Sequence, residues 1–262
     1  MARSVTKAGP GWLWLALIGC GAFLYVPILV IIAMSFNDGG SAYSFNGFSF
    51  RWYSELVSSE RLRSALTTSL IVAVGATVIA TVLGTLLAVG LARHTRSKLL
   101  ESSAMAPAIL PDLLLAIGLL SFYYVIDFPK STATILLAHA AFGTAFVVAV
   151  VRSRLSGMDL AEEEASRDLG AGAITTFLRI TVPAISPAIL AGALLVFTLS
   201  LDEFVIAFFT SGPTTQTLPI AIYSMLKTGV TPVVNALATV LVLVSVAVVV
   251  FVARTVRRTE SS

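Results

Sequence analysis

The stretch that decides the fold is residues 154–183, RLSGMDLAEEEASRDLGAGAITTFLRITVP. It is charged and has helical spacing, yet it lies between two apolar runs of membrane length. Ala161, Ala165 and Leu169 recur every four residues, as they would on one face of a short helix. Three glutamates crowd the predicted start of this helix, and Gly170 is a typical residue to end it. The stretch therefore predicts a polar loop with a short amphipathic helix, tethered to the bilayer at both ends.

A second helical piece is predicted in the same loop, from Ala173 to Arg179. Pro183 then suits the first turn of the next membrane helix, where a missing backbone N–H costs nothing. Within the first helix, Glu163 and Arg167 have the i,i+4 spacing of an ion pair. The predicted order is helix, glycine turn, helix and membrane span.

The spacing in this loop resembles the EAA loop of bacterial ABC importer permeases. That pattern is Glu-Ala-Ala, three residues, Gly, nine residues, then Ile-x-Leu-Pro. Glu164–Ser166, Gly170 and Ile180–Pro183 follow the same intervals, with Ser166 and Val182 as conservative departures. In that family the loop carries a coupling helix that seats in a groove of a cytoplasmic ATPase. The resemblance implies an ATPase contact made by Ala161, Glu164, Ala165, Leu169, Gly170, Ile180 and Pro183. The alternative is a solvated loop whose charges only keep it out of the bilayer.

The composition indicates an integral membrane protein. Of 262 residues, 57% are hydrophobic and 12% are charged, whereas an ordinary soluble domain is about 25% charged. The net charge of +3 does not indicate nucleic-acid binding, because Lys and Arg cluster at the ends of apolar runs rather than along one polar face. The single cysteine, Cys20, lies inside an apolar run, so neither an intrachain disulfide nor a cysteine metal site is expected.

Six apolar runs predict six transmembrane helices in an all-α fold. Their approximate bounds are 11–34, 68–91, 105–126, 131–151, 185–209 and 233–252. In this arrangement 12 of the 17 Lys and Arg residues lie inside, which satisfies the positive-inside rule with both termini in the cytoplasm. We therefore expect one transmembrane permease domain over residues 1–262, with the loop 154–183 connecting helices 4 and 5.

Three other segments carry informative patterns. The third run is interrupted by Pro107 and Pro111. The polar segment 37–66 is rich in aromatic residues, which suits either the membrane interface or a docking surface. The second run has a small residue at every fourth position, so that another helix can approach closely: Ala76, Ala80, Gly84, Ala88 and Ala92.

Carboxylates inside the predicted spans are the candidates for a substrate pathway. A charge in hydrocarbon costs about 3 kcal/mol even on a lenient scale, so it normally faces a cavity or a partner. Asp112 follows Pro111, where it can restart a broken helix as an N-cap, line the pathway, or do both. Asp202 and Glu203 lie in the fifth span, and Thr198 shares a helical face with Asp202. We expect Asp112, Thr198, Asp202 and Glu203 to line the pathway.

The sequence offers no catalytic constellation. No Lys follows a Gly, so the chain lacks a phosphate-binding loop and is not expected to hydrolyse ATP alone. His139, in the middle of the fourth span, suits an interhelical hydrogen bond better than a metal ligand or a proton relay. No enzyme activity, metal or cofactor is predicted.

The stretch from Thr198 to Ala238 resembles the spermidine/putrescine branch of these permeases. The matching words include Ser200-Leu-Asp-Glu-Phe-Val, Thr217-Leu-Pro and Asn235-Ala-Leu-Ala-Thr, with Phe50-Arg-Trp-Tyr near the front. The resemblance implies a permease subunit of an ATP-driven polyamine importer in the bacterial inner membrane, working by alternating access. It also implies a second permease subunit, a pair of ATPase subunits, an outer solute-binding protein and a small cationic substrate, without nucleic acid.

Other readings stay open from the sequence. Permeases for other small solutes, including ferric iron, share the fold and much of this loop. An ion-gradient-driven carrier is the alternative from another class, and it should show inverted repeats and paired broken helices. A membrane enzyme is disfavoured because clustered His, Cys or Ser/base residues are missing.

Overall fold

The computed structural model describes residues 11–40, 44–95, 97–229 and 231–259. Within these ranges the chain is helical, with α1 (Gly11–Met34), α2 (Arg51–Ser58), α3 (Glu60–Arg93), α4 (Lys98–Ile109), α5 (Asp112–Val125), α6 (Thr132–Ser156), α7 (Ala161–Asp168), α8 (Ala173–Thr176), a π-helical turn (Phe177–Thr181), α9 (Val182–Asp202), α10 (Val205–Thr210), α11 (Leu218–Thr228) and α12 (Pro232–Thr259). Three of the 12 Lys and Arg residues that the predicted topology places inside lie outside these ranges: Arg3, Lys7 and Arg96.

The contacts divide the chain into two compact units. The first comprises residues 1–60 and 222–262, and in it α12 packs against α1 and α2. Trp52 is buried there, and its Nε1 donates to the Asn37 carbonyl at 2.6 Å. The aromatic segment forms a ring cluster with centroids 5.2–6.1 Å apart: Phe36, Phe48, Phe50 and Tyr53. The expectation of one domain over 1–262 stays a prediction.

The second unit, residues 61–221, is built on close helix packing between α3, α6 and α9. Ala76, Ala80 and Ala88 of the small-residue face are fully buried, and Gly84 is buried with them, while Ala92 is exposed. A Cβ added at Gly84 would lie 2.6 Å from the Val147 Cβ of α6. The small side chains thus let the backbones of α3 and α6 approach closely, as the small residue at every fourth position predicted.

Gly84→Val should destabilise this unit, because the new side chain would overlap Val147 and the Thr144 carbonyl, 3.0 Å from the added Cβ. Overpacking of this kind costs about 1–3 kcal/mol. Gly90→Val on the same helix is the matched control, since a Cβ there meets nothing within 4 Å. Thermal unfolding in detergent measures the effect, and equal melting temperatures for the two variants would contradict the packing.

In the part of the chain that the structure describes, four helices are long and apolar enough to cross a membrane, or five if one bent pair counts as a span. They are Trp12–Met34, Glu60–Arg93, Thr132–Ser156 and the continuous segment Ala173–Asp202; the bent pair is Lys98–Ile109 with Asp112–Val125. Pro232–Val244 is a shorter apolar helix within α12. Each of these elements overlaps one of the six predicted runs, but length and composition within the described residues support four or five spans rather than six.

The third predicted span is not one straight helix. The chain bends by 108° between α4 and α5. Leu110, which precedes Pro111 at this bend, is extended (φ −66°, ψ 141°). Proline disfavours the helical conformation in the residue before it, which explains why the turn falls there. Pro107, by contrast, lies inside α4.

The fifth predicted span also ends earlier than expected. α9 stops at Asp202, Glu203 takes an extended conformation (ψ 109°), and α10 restarts at Val205. The sequence prediction of a continuous helix to Phe209 was therefore wrong at this point. The apolar run gives no sign of the break except its two adjacent carboxylates. The segment after α10 contains a further helix, α11.

Candidate functional site

The loop 154–183 adopts the predicted order of a helix, a glycine turn and a second helix. α7 begins at Ala161, and the Asp159 carboxylate accepts from its backbone N–H at 3.0 Å. Gly170 has φ +86°, and the bonds from its N–H to Arg167 O (2.9 Å) and from Ala171 N–H to Ser166 O (3.1 Å) close a Schellman motif. Glycine therefore ends α7 because the chain needs a left-handed residue there.

Beyond the turn, the structure differs from the prediction in one respect. α8 passes through the π-helical turn directly into α9, so Pro183 lies near the start of α9 inside a continuous helical segment. The membrane-length helix thus extends from Ala173 to Asp202 rather than starting at Pro183. The loop is rooted in the same helical segment that ends at the Glu203 break.

The residues predicted to contact an ATPase lie mainly on an accessible surface. Ala161, Glu164, Ala165 and Gly170 are exposed, Leu169 is 90% exposed, Pro183 is exposed and Ile180 is half-buried. Ile174 and Leu178, which the sequence analysis did not single out, are also exposed apolar residues of this loop. Apolar side chains on an otherwise charged loop are typical of a surface that a partner covers.

Glu163 does not make the ion pair that its spacing suggested. Its carboxylate contacts the Arg93 guanidinium at 3.1 Å and accepts from the Thr181 hydroxyl at 3.0 Å, instead of pairing with Arg167. The i,i+4 rule considers one helix in isolation, whereas here burial of α7 against α3 turns Glu163 inward. Sequence reasoning thus missed a contact between residues 70 positions apart.

The two helix breaks lie in the same unit, and each carries a predicted pathway carboxylate. Asp112 is the first residue of α5, with Pro111 at the N-cap position and no side-chain cap hydrogen bond. Glu203 lies between α9 and α10 and accepts from the Ile206 N–H at 2.9 Å, so it restarts the helix. α5, which begins at Asp112, packs against α10, the helix that follows Glu203. Asp112 is therefore not the N-cap expected for it, because Pro111 holds that position, and Glu203 accepts a backbone N–H at the start of another helix, α10.

Thr198 and Asp202 lie on α9, just before its end, and both are exposed. Their i,i+4 spacing places them on one face, as predicted. The Thr198 hydroxyl donates to the Leu194 carbonyl at 2.9 Å. The polar side chains of Thr198 and Asp202 thus lie on one face at the end of α9, next to the break at Glu203.

Apolar packing and one buried polar pair hold the breaks together. α5, α6, α9 and α10 share a cluster formed by Ala116, Ala138, Phe142 and Ile206 with flanking Leu115, Leu119, Phe146, Leu199, Val205 and Phe209. His139 of α6 is buried, and its Nδ1 lies 2.8 Å from the Ser200 hydroxyl of α9, two residues before Asp202. This is the interhelical hydrogen bond that the position of His139 suggested.

Comparison with known proteins identifies the family. The profile of the binding-protein-dependent transport system inner membrane component matches residues 80–261, which is more than half of the chain. The chain belongs to this family. The permease is 39% identical over 231 residues to the spermidine/putrescine transport system permease protein PotC of Haemophilus influenzae, covering 87% of this chain and 90% of that protein. It is 42% identical over 240 residues to the putrescine transport system permease protein PotI of Escherichia coli, covering 88% and 85%.

A solved structure supports the fold. A chain from the crystal structure of a bacterial ABC transporter that imports the acidic polysaccharide alginate superposes on the permease with a TM-score of 0.69. The superposition covers 98% of this chain and 99% of that one at 16% identity. The protein is therefore a multi-pass membrane permease subunit of an ABC importer, a transport component rather than an enzyme.

Proposed function

We propose that this permease carries polyamines of the spermidine and putrescine type into the cell. The observation that carries the proposal is the 39–42% identity to PotC and PotI over nearly nine-tenths of the chain. The chemistry of the unit 61–221 agrees with it, because the carboxylates at the two breaks would stabilise a cation and repel an oxyanion. Phe204, Phe208 and Phe209 lie directly after the second break and could add cation–π contacts.

The pathway is proposed to run past Asp112, Thr198, Asp202 and Glu203. Discontinuous helices expose backbone polar groups, which membrane proteins tolerate where the backbone lines a cavity or a transport route. Here α5 and α10, the helices that follow the two breaks, pack together, and a carboxylate lies at each break. A flexible chain with several amino groups could interact with these carboxylates and with Asp202 in turn.

Transport is proposed to follow alternating access, driven by a partner ATPase. The loop 154–183 would seat α7 in a groove of that ATPase through Ala161, Glu164, Ala165, Leu169, Gly170, Ile180 and Pro183. A second permease subunit would complete the route, two ATPase subunits would act on the two coupling loops, and a solute-binding protein would deliver the substrate from outside. Six spans, with α4 and α5 as the third and α12 as the sixth, would place both termini in the cytoplasm.

Purification and transport test this function together. The chain, expressed with its neighbouring transport subunits and purified in detergent, should bring an ATPase subunit with it. Vesicles containing the complex should take up labelled spermidine or putrescine when ATP and the binding protein are present. If the vesicles took up ferric iron or another small solute but neither polyamine, the chain would still be a permease, but the proposed polyamine substrate would be wrong.

The orientation predicts the labelling of introduced cysteines. In a Cys20→Ala background, Ser44→Cys should react with a membrane-impermeant maleimide in intact spheroplasts, because segment 37–59 is placed outside. Asp168→Cys, exposed at the end of α7, should react only after permeabilisation. The matched measurement is gel-shift labelling of both variants in the same preparation, and reversed labelling would invert the proposed topology.

A further inference from the structure

The coupling loop is held by one buried carboxylate. Glu163 is 4% exposed, whereas its neighbours Glu162 and Glu164 are exposed. Its Oε1 accepts from Arg93 Nη2 at 3.1 Å and from Thr181 Oγ1 at 3.0 Å. A single oxygen therefore joins α7 to the last residue of α3 and to the last residue of the π-helical turn that precedes α9. We call Arg93, Glu163 and Thr181 the polar joint.

Burial makes this contact strong and directional. The side chains of Arg93 and Glu163 are only 14% and 6% exposed, so water screens their attraction little. A buried charge that loses its partner is strongly unfavourable, so the pair resists separation. Beside it lies a cavity of about 270 Å³ lined partly by Val89, Arg93, Glu163 and Phe177. Apolar packing beside the polar joint is thus incomplete, and the hydrogen bonds of the joint connect α7 to α3 and to the π-helical turn.

We propose that Glu163, with Arg93 and Thr181, positions the coupling loop so that its movement reaches α3 and α9. This inference rests on the proposed function, because it requires an ATPase that moves α7. The π-helical turn gives the root of α9 a local irregularity of a kind frequent at functional sites. α9 then runs without interruption from Val182 to Asp202 and ends at the Glu203 break. The joint therefore lies at one end of a continuous helical segment whose other end carries Asp202 and leads to Glu203.

A second contact supports α7 without charge. The hydroxyls of Ser166 and Thr176 lie 3.1 Å apart and connect α7 to α8. Loss of the Glu163 charge therefore leaves α7 attached through the Schellman turn and this hydroxyl pair. The substitution Glu163→Gln also keeps an oxygen that can accept from Thr181. Glu163→Gln should therefore let the loop fold but weaken the contact through which movement of α7 reaches α3.

The test uses the complete importer in proteoliposomes. The variants are Glu163→Gln, Glu162→Gln as the exposed neighbour, Arg93→Glu, and the exchange of charges in Arg93→Glu with Glu163→Arg. The readouts are subunit assembly, basal ATP hydrolysis, its stimulation by the loaded binding protein, and labelled putrescine uptake. We expect Glu163→Gln to lower stimulation and uptake about tenfold with normal assembly and basal hydrolysis. Glu162→Gln should behave as wild type, and the exchange should recover part of what Arg93→Glu loses.

The outcomes separate this inference from the proposed function. Wild-type stimulation in Glu163→Gln, or no recovery in the charge exchange, would overturn the role of the joint. If the wild-type complex is stimulated by its binding protein but takes up no polyamine, the proposed substrate fails, and stimulation still reports on the joint. If no ATPase assembles with the wild-type chain, both the coupling function and the joint are rejected.

Discussion

The double variant Asp112→Asn with Glu203→Gln should reduce polyamine uptake by at least about a hundredfold, and either single variant by about tenfold. The two carboxylates lie at two helix breaks, and the helices that follow these breaks, α5 and α10, pack together, so a cation on the proposed route would interact with both. Removing one charge leaves the other to stabilise the cation at the breaks, whereas removing both leaves only the charge of Asp202 on the proposed route. Uptake of labelled spermidine and putrescine into vesicles containing the whole complex measures the loss.

The substitutions separate charge from structure. Gln at position 203 retains an oxygen that can accept from the Ile206 N–H, so α10 should still restart. Asn at position 112 removes no side-chain cap hydrogen bond. Glu203→Asp and Asp112→Glu keep the charge and should transport better than the neutral variants. Asp202→Asn tests the exposed carboxylate before the break. Wild-type uptake by the neutral double variant, at equal assembly and ATP hydrolysis, would show that these carboxylates are structural.

Gly170→Val should uncouple ATP hydrolysis from uptake and lower uptake at least about tenfold. Gly170 has φ +86°, a conformation that costs a non-glycine residue about 1–2 kcal/mol and is especially poor for a β-branched one. The substitution would break the Schellman motif and change the angle between α7 and α8. The membrane spans should remain inserted, and assembly with the ATPase should weaken. Uptake and ATP hydrolysis, measured on the same preparation, give the coupling ratio.

Gly172→Val is the matched control for this turn. A Cβ meets nothing within 4 Å at either glycine, so neither substitution creates a clash. Gly172 has φ −70°, which any residue adopts. The two variants therefore differ in backbone strain rather than in added bulk. Equal uptake by both, at normal expression, would remove the left-handed turn from the coupling hypothesis.

Much of the local structure was predictable because it depends on neighbouring residues. A small residue at every fourth position indicated the face on which α3 packs, and Gly170 indicated the end of α7. Pro111 signalled the break before α5, since proline restricts the residue before it. The first predicted span, 11–34, coincides with α1. The ATPase contacts of the loop and the roles of the pathway carboxylates stay predictions.

The sequence by itself determined that this protein is a helical membrane permease, because hydropathy, charge clusters and the loop spacing are read along the chain. Only the tertiary structure decided which distant groups meet. It turned Glu163 towards Arg93, 70 residues away, and packed α5, which begins at Asp112, against α10. It also ended α9 at Asp202, where no proline or glycine marks a break. These outcomes depend on how helices pack and which side chains become buried, and the energies of burial and pairing are set by contacts between residues far apart in the chain.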